Sequence, residues 1–272
     1  MSAEGGDRSP IWLPLLRRLT EVSPSWVVWK NVESAVTGIG DIDSAAPRAD
    51  WPVLTDEFRR WAGSFGLGPV IACPHAPNLL HLVALDGPAP FFEVDLVARK
   101  VFLGSTLFVP RDLLPLSELD ARGFRRTRPG TEGLIKLINN GARRNGRPNE
   151  EGLRAKRIPE LLARDPEGVR ETARLLFGPA RRAALQLADA VVAGSWDRRA
   201  MLALQGWFLV RAVGEPASVV ARVRFRSNRE NCPVLVAVFS GRRVPGDLQQ
   251  WVDRVARDHE VFGDASWCAE PP

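Results

Sequence analysis

"WVVWKNVESAVTGIGDIDSAAP", residues 26–47, carries two strand-like runs separated by a glycine-bearing turn. Residues 25–31 are rich in Trp and Val, the composition of a buried strand. Residues 32–38 read as a helical turn closed by Gly38, and residues 41–46 as the next strand. Side chains alternate faces along a strand, so Asp41 and Asp43 point the same way while Ile42 points into the core. Two like charges held that close repel, and the arrangement needs a cation, a proton or open solvent.

Working outward, Pro10 stands ahead of an apolar run with helical spacing at 11–22, which contains Pro14. Thr55 is a cap for a helix over 55–65, where Phe58, Trp61 and Phe65 fall on one face. Strands are expected at 69–75, 78–87 and 91–102, the last two separated by an Asp86–Gly87 turn signal. The last of these holds a second acidic pair, Glu93 and Asp95, again on a shared face. If the strands bearing Asp41, Asp43 and Asp95 are neighbours, three carboxylates converge, and hard oxygen donors of that kind suit Mg²⁺.

Beyond Pro115 the pattern turns helical and basic. Helices are expected within 130–146, where Thr131 is the cap and Gly141 the stop, and within 149–165, 166–178 and 178–194. Near the C-terminus Arg222, Arg224 and Arg226 share one face of a strand, and 233–258 reads as strand, Gly loop and helix. That unit lacks the Gly-x-x-x-x-Gly-Lys-Ser/Thr spacing of a phosphate loop, which favours a plain structural role. The expected fold is α+β: a mixed sheet flanked by helices over 1–118, a helical domain over 119–195 and a small α/β part over 196–272.

The 272 residues suffice for a large core, and 45% hydrophobic with 25% charged residues argues against disorder. A net charge of +5 fits an anionic ligand such as a nucleotide, but an Arg-rich composition with no functional meaning accounts for it more readily. Cys73, Cys232 and Cys268 have no metal-ligand or disulfide spacing, so a reducing cytoplasm is the expected setting. The N-terminal stretch lacks the layout of a signal peptide, and no apolar run reaches membrane-spanning length, so no membrane partner is expected.

Residues 26–47 followed by "FFEVDL" at 91–96 resemble the nucleotidyltransferase fold of the DNA polymerase beta superfamily. The nearest likeness is to a bacterial group in which Trp-x-x-Trp-Lys precedes Gly-x-x-Asp-x-Asp, and it covers about the first 120 residues. Residues 122–141 resemble the accessory region of the same family. The resemblance implies Mg²⁺- or Mn²⁺-dependent transfer of a nucleotidyl group from a nucleoside triphosphate to an acceptor hydroxyl. It makes Asp41 and Asp43 metal ligands and Asp95 the third carboxylate, with Glu93 as its fallback. The superfamily's Gly-Ser or Gly-Gly pair is replaced here by "KNVES", 30–34, which leaves Lys30 and Ser34, with Gly40, as the nucleotide-binding candidates.

Between Arg122 and Arg157 basic residues outnumber acidic ones. Arg125, Arg126 and Lys136 are candidates for a wall that receives phosphate oxygens, against the alternative of a solvated helical face. Nucleic acid is a less favoured partner, since no aromatic interleaving accompanies the charge. His75 and His81 read as surface or strand-end residues outside the catalytic set. Two other functions remain open: a non-catalytic nucleotide-binding or regulatory module of toxin–antitoxin type, and a nucleic-acid-end modifier.

Overall fold

The β-branched and aromatic run after Trp26 forms β1 (Val27–Lys30), and the chain turns at Asn31 with a positive φ of 66° into the short helix α2 (Val32–Thr37). It returns antiparallel to β1 as β2 (Ile42–Ala45). The computed structural model describes residues 7–38, 40–68, 70–85 and 91–217, together with 220, 221, 223 and 236–238. The Asp86–Gly87 turn, the three arginines near 224, Cys232, Cys268 and most of the 233–258 unit lie outside the described residues.

Three further strands extend the sheet beyond β2: β3 (Val70–Ala76), β4 (Leu79–Leu85) and β5 (Phe91–Val97). Two short ones, β8 (Ser117–Leu119) and β9 (Arg125–Thr127), close its other side, and β10 (Val236–Val238) pairs with the outer edge of β3. The eight strands run in the order β10-β3-β4-β5-β2-β1-β9-β8. The β2–β5 and β1–β9 pairs are parallel and the others antiparallel, a mixed sheet as expected. A separate hairpin pairs β6 (Lys100–Phe102) with β7 (Ser105–Phe108) through Leu103 and Gly104, both at positive φ.

One face of the sheet is covered by α1 (Ser9–Val22) and α3 (Trp51–Ser64), which bury Trp12, Leu16, Phe58 and Trp61 against Val28, Ile42, Phe92, Val94 and Leu96. Trp12 stacks on Trp61 at 5.5 Å between ring centres and meets Phe92 edge-on at 5.2 Å. The Arg8 guanidinium lies 3.6 Å from the Phe92 ring centre, a cation held on an aromatic face. The opposite face, at Val27, Trp29 and Ala45, joins a second core with α5 (Pro129–Asn140), α7 (Ile158–Arg164), α8 (Pro166–Phe177), α9 (Arg181–Val192) and α10 (Arg198–Gly214). The short helix α4 (Pro110–Leu113) follows β7, and α6 (Glu150–Ala155) links α5 to α7. At Gly130 a Cβ would come within 2.1 Å of the Asp165 carbonyl oxygen, so the absent side chain lets α5 seat directly on the start of α8.

Several expectations shift. Helix α3 starts at Trp51 rather than Thr55, because Pro52 in its first turn suits a helix start and a 3₁₀ turn at Arg48–Asp50 leads into it. The expected strand at 91–102 breaks after Val97, and its second half turns away to pair with β7. Residues 117–127, which straddle the expected boundary at 118/119, add β8 and β9 to the sheet. Among the described residues no helix is long and apolar enough to cross a membrane.

Candidate functional site: a carboxylate cluster beside a basic cleft

Strands β2 and β5 lie side by side and parallel, in a register that sets Asp43 opposite Asp95. Asp41 precedes β2 by one residue and shares the face of Asp43. One carboxylate oxygen from each of Asp41, Asp43 and Asp95 lies within 4.8 Å of the other two. Asp43 and Asp95 are buried, and Asp41 is half-buried. Behind them Trp26 Nε1 donates to Ser44 Oγ, which in turn donates to the Asp95 carbonyl oxygen at 2.7 Å, tying the two strands together on the opposite face.

Two basic side chains meet the cluster. Lys30 Nζ is 2.9 Å from Asp43 Oδ1, while Asn31 Nδ2 donates to Asp43 Oδ2 at 2.6 Å. His81, on β4 directly opposite Asp95, places Nδ1 2.5 Å from Asp95 Oδ1 and 2.8 Å from Glu93 Oε1. Its mid-strand place corrects the surface or strand-end reading of this histidine. Glu93 therefore belongs with His81 and Asp95, a second group of potential metal ligands, rather than with Asp41 and Asp43. His75 lies on β3 and its side chain is outside the described residues.

Burial and charge set the protonation states. Desolvation pushes the Asp43 carboxyl up to about 7 against the pull of Lys30, with Asp41 and Asp95 adding repulsion. Burial works against a charged His81, yet its hydrogen bonds to Asp95 and Glu93 prevail and raise it to about 10. Asp95 is the converse: burial would raise it, and His81 holds it below the ordinary carboxylate range. Lys30 is held above its ordinary value because Asp43, with Asp41 and Asp95 behind it, outweighs desolvation.

No protein-family model, no curated protein and no solved structure matches this chain. Four carboxyl groups, Asp41, Asp43, Glu93 and Asp95, gather with Lys30 and His81 in a largely buried place. Hard oxygen donors at that spacing fit a divalent cation, and the Asp43 carboxyl, raised chiefly by burial with repulsion from Asp41 and Asp95 adding to it, is one that a bound cation would hold ionised.

A cleft of about 370 Å³ opens beside the cluster at Asn31 and runs along α2. Ser34, Arg126 and Lys136 line it, as do Lys156, Arg157 and Arg164 from α6–α7 and the loop between them, with Glu33, Glu132 and Glu160 among them. Arg125 does not line it: β9 alternation turns Arg126 toward the cleft, and the Arg125 backbone N–H donates to Thr20 on α1. Ser34 Oγ donates to the Asn31 carbonyl oxygen at 2.8 Å. Glu132, buried at the start of α5, accepts from the Asn31 backbone N–H at 3.2 Å and pairs with Lys136 at 2.5 Å.

Much of the basic excess read from the sequence is spent on ion pairs with acids from elsewhere in the chain. Arg122 and Arg126 both hold Glu33 on α2 at 2.7 Å, and Arg128 holds Asp165 and Glu171. Asp120, pulled down to about 2 chiefly by its hydrogen bonds from Arg122, completes the group. Because the folded value lies below 3.8, its stabilising contribution is complete above that pH and is lost as pH falls through about 2. The urea midpoint of Asp120→Asn is therefore expected to lie below that of the unaltered protein at pH 6, with the gap closing near pH 2.

The Gly40 backbone N–H donates to the Ser34 carbonyl oxygen at 3.3 Å. A Cβ there would stand 2.9 Å from the Ala35 backbone nitrogen and the Ser34 carbonyl carbon, so its missing side chain lets the chain fold back onto α2 just before Asp41. Gly40→Ala is expected to cost about 1–3 kcal/mol, the usual range for overpacking, read as a lowered thermal midpoint.

Proposed function

We propose that this protein transfers a nucleotidyl group from a nucleoside triphosphate to an acceptor hydroxyl, with Mg²⁺ or Mn²⁺ held by Asp41, Asp43 and Asp95. The observation that carries the reading is the convergence of those three carboxylates at the neighbouring parallel strands β2 and β5, with Asn31 both bonded to Asp43 and lining the adjacent cleft. A divalent cation bound there supplies neutralisation of phosphate charge and a lowered pKa for the acceptor hydroxyl. Asp95, kept ionised by His81, is the group placed to draw the acceptor's proton. Arg126, Lys136, Lys156 and Arg164 face the anionic part of the nucleotide from the cleft walls.

A second reading, a non-catalytic nucleotide-binding or regulatory module, is favoured by one observation: Asp43 and Asp95 each have a built-in basic partner. Incubation with Mg²⁺, each of the four nucleoside triphosphates and a panel of polyhydroxylated small molecules separates the two. Metal-dependent pyrophosphate release is the expected result. Nucleotide retention in equilibrium dialysis without release selects the second reading, and neither retention nor release overturns both.

A further inference from the structure

Lys30 occupies the end of β1, where the ladder with β2 is irregular and brings its side chain over Asp43. Between them the Lys30 ammonium and the Asn31 amide engage both Asp43 oxygens, so a metal ion that used the remaining lone pairs would sit beside the ammonium. An ammonium and a divalent cation cannot share one buried carboxylate without strong mutual repulsion, since Coulomb energies grow as the local dielectric falls. The lysine is held by its ion pair with Asp43 and by the face of the Trp29 ring. It is a flexible point charge on a four-carbon stem, its ammonium lies 4.8 Å from the Trp29 ring centre, and its side chain is 15% exposed.

We propose that Lys30 is the resident counter-ion of this site, a positioning residue that holds Asp43 ready in the metal-free protein and must leave it for a divalent cation to bind. The proposal rests on the metal reading given above. It assigns a purpose to the departure at residues 30–34 from the family's glycine pair: the site carries its own removable cation in place of an open loop. Metal affinity is then set by a competition within the chain, and removing the competitor strengthens binding at the same three carboxylates.

The test is Mn²⁺ binding followed by loss of the free-ion electron paramagnetic resonance signal, on the unaltered chain, Lys30→Gln and Lys30→Arg. Glutamine keeps an N–H donor for Asp43 and removes the charge, whereas arginine restores the charge. Lys30→Gln is expected to bind Mn²⁺ roughly 5- to 150-fold more tightly, the usual span of a coupling between two ligands, with Lys30→Arg back near the starting affinity. Equal or weaker binding by Lys30→Gln, with the unaltered chain binding, overturns the role of Lys30 and leaves the metal reading standing. Absence of Mn²⁺ binding by all three overturns both. Folding of Lys30→Gln only in the presence of Mn²⁺ supports the proposal, because the ion then replaces the ammonium; failure to fold with or without Mn²⁺ counts against it.

Discussion

Asp43→Asn is expected to lower Mg²⁺-dependent pyrophosphate release at least about a hundredfold, beyond the 10- to 100-fold typical of losing an outer-shell partner, because it removes a direct ligand. Asparagine fills the same volume and still accepts the hydrogen bond from Asn31, but it brings no charge to the place where Asp41 and Asp95 meet. The fold should survive. Lys30 loses its nearest partner yet keeps Asp41 and Asp95 close by, and a buried carboxylate repelled by two others is removed at the same time. Unchanged far-UV circular dichroism and a thermal midpoint near that of the unaltered protein would establish this. Full turnover in the variant would sink the nucleotidyl-transfer reading.

Trp12→Ala carries the largest expected loss of stability, about 3–5 kcal/mol. The indole is fully buried between Trp61 and Phe92, and its removal leaves a large void under the sheet on the side away from the carboxylates. Among the described residues the indole N–H has no hydrogen-bond partner, so its loss returns part of the penalty and places the expected value in the lower half of that range. With a urea m-value of about 1–3 kcal/mol/M the midpoint should fall by at least about 1 M. Leu209→Ala, on an exposed part of α10, is the matched control and should shift stability by less than about 0.5 kcal/mol.

How much of this was legible in the sequence follows from what local pattern can encode. The strand–turn–strand unit at 26–47 was readable because its apolar alternation and glycines are local, and the strand bearing Asp95 was readable for the same reason. Three strands were not. β7, β8 and β9 are each three or four residues long, too short for periodicity to stand out, and β9 owes its state to pairing with β1 across nearly a hundred residues. His81 was missed because a single histidine in an apolar run has no local signature; laying β4 antiparallel on β5 with Leu85 opposite Phe91 would have put it against Asp95. Glu132 and Asn31 could not be found by any spacing rule, since a long-range contact joins them. Part of the basic segment's charge is neutralised by acids, Glu33 and Glu171, that sit outside the window counted, which no local tally could show.

The strand order has a consequence for synthesis. β1 and β2 occupy the middle of the sheet, yet they leave the ribosome first and must wait for β5 on one side and β9 on the other before their backbone groups are satisfied. Until then the Val27–Trp29 and Ile42–Ala45 runs are open apolar edges, the kind of template that recruits neighbouring nascent chains. With slow, non-local assembly of this sort, refolding yield from denaturant is expected to fall as protein concentration rises.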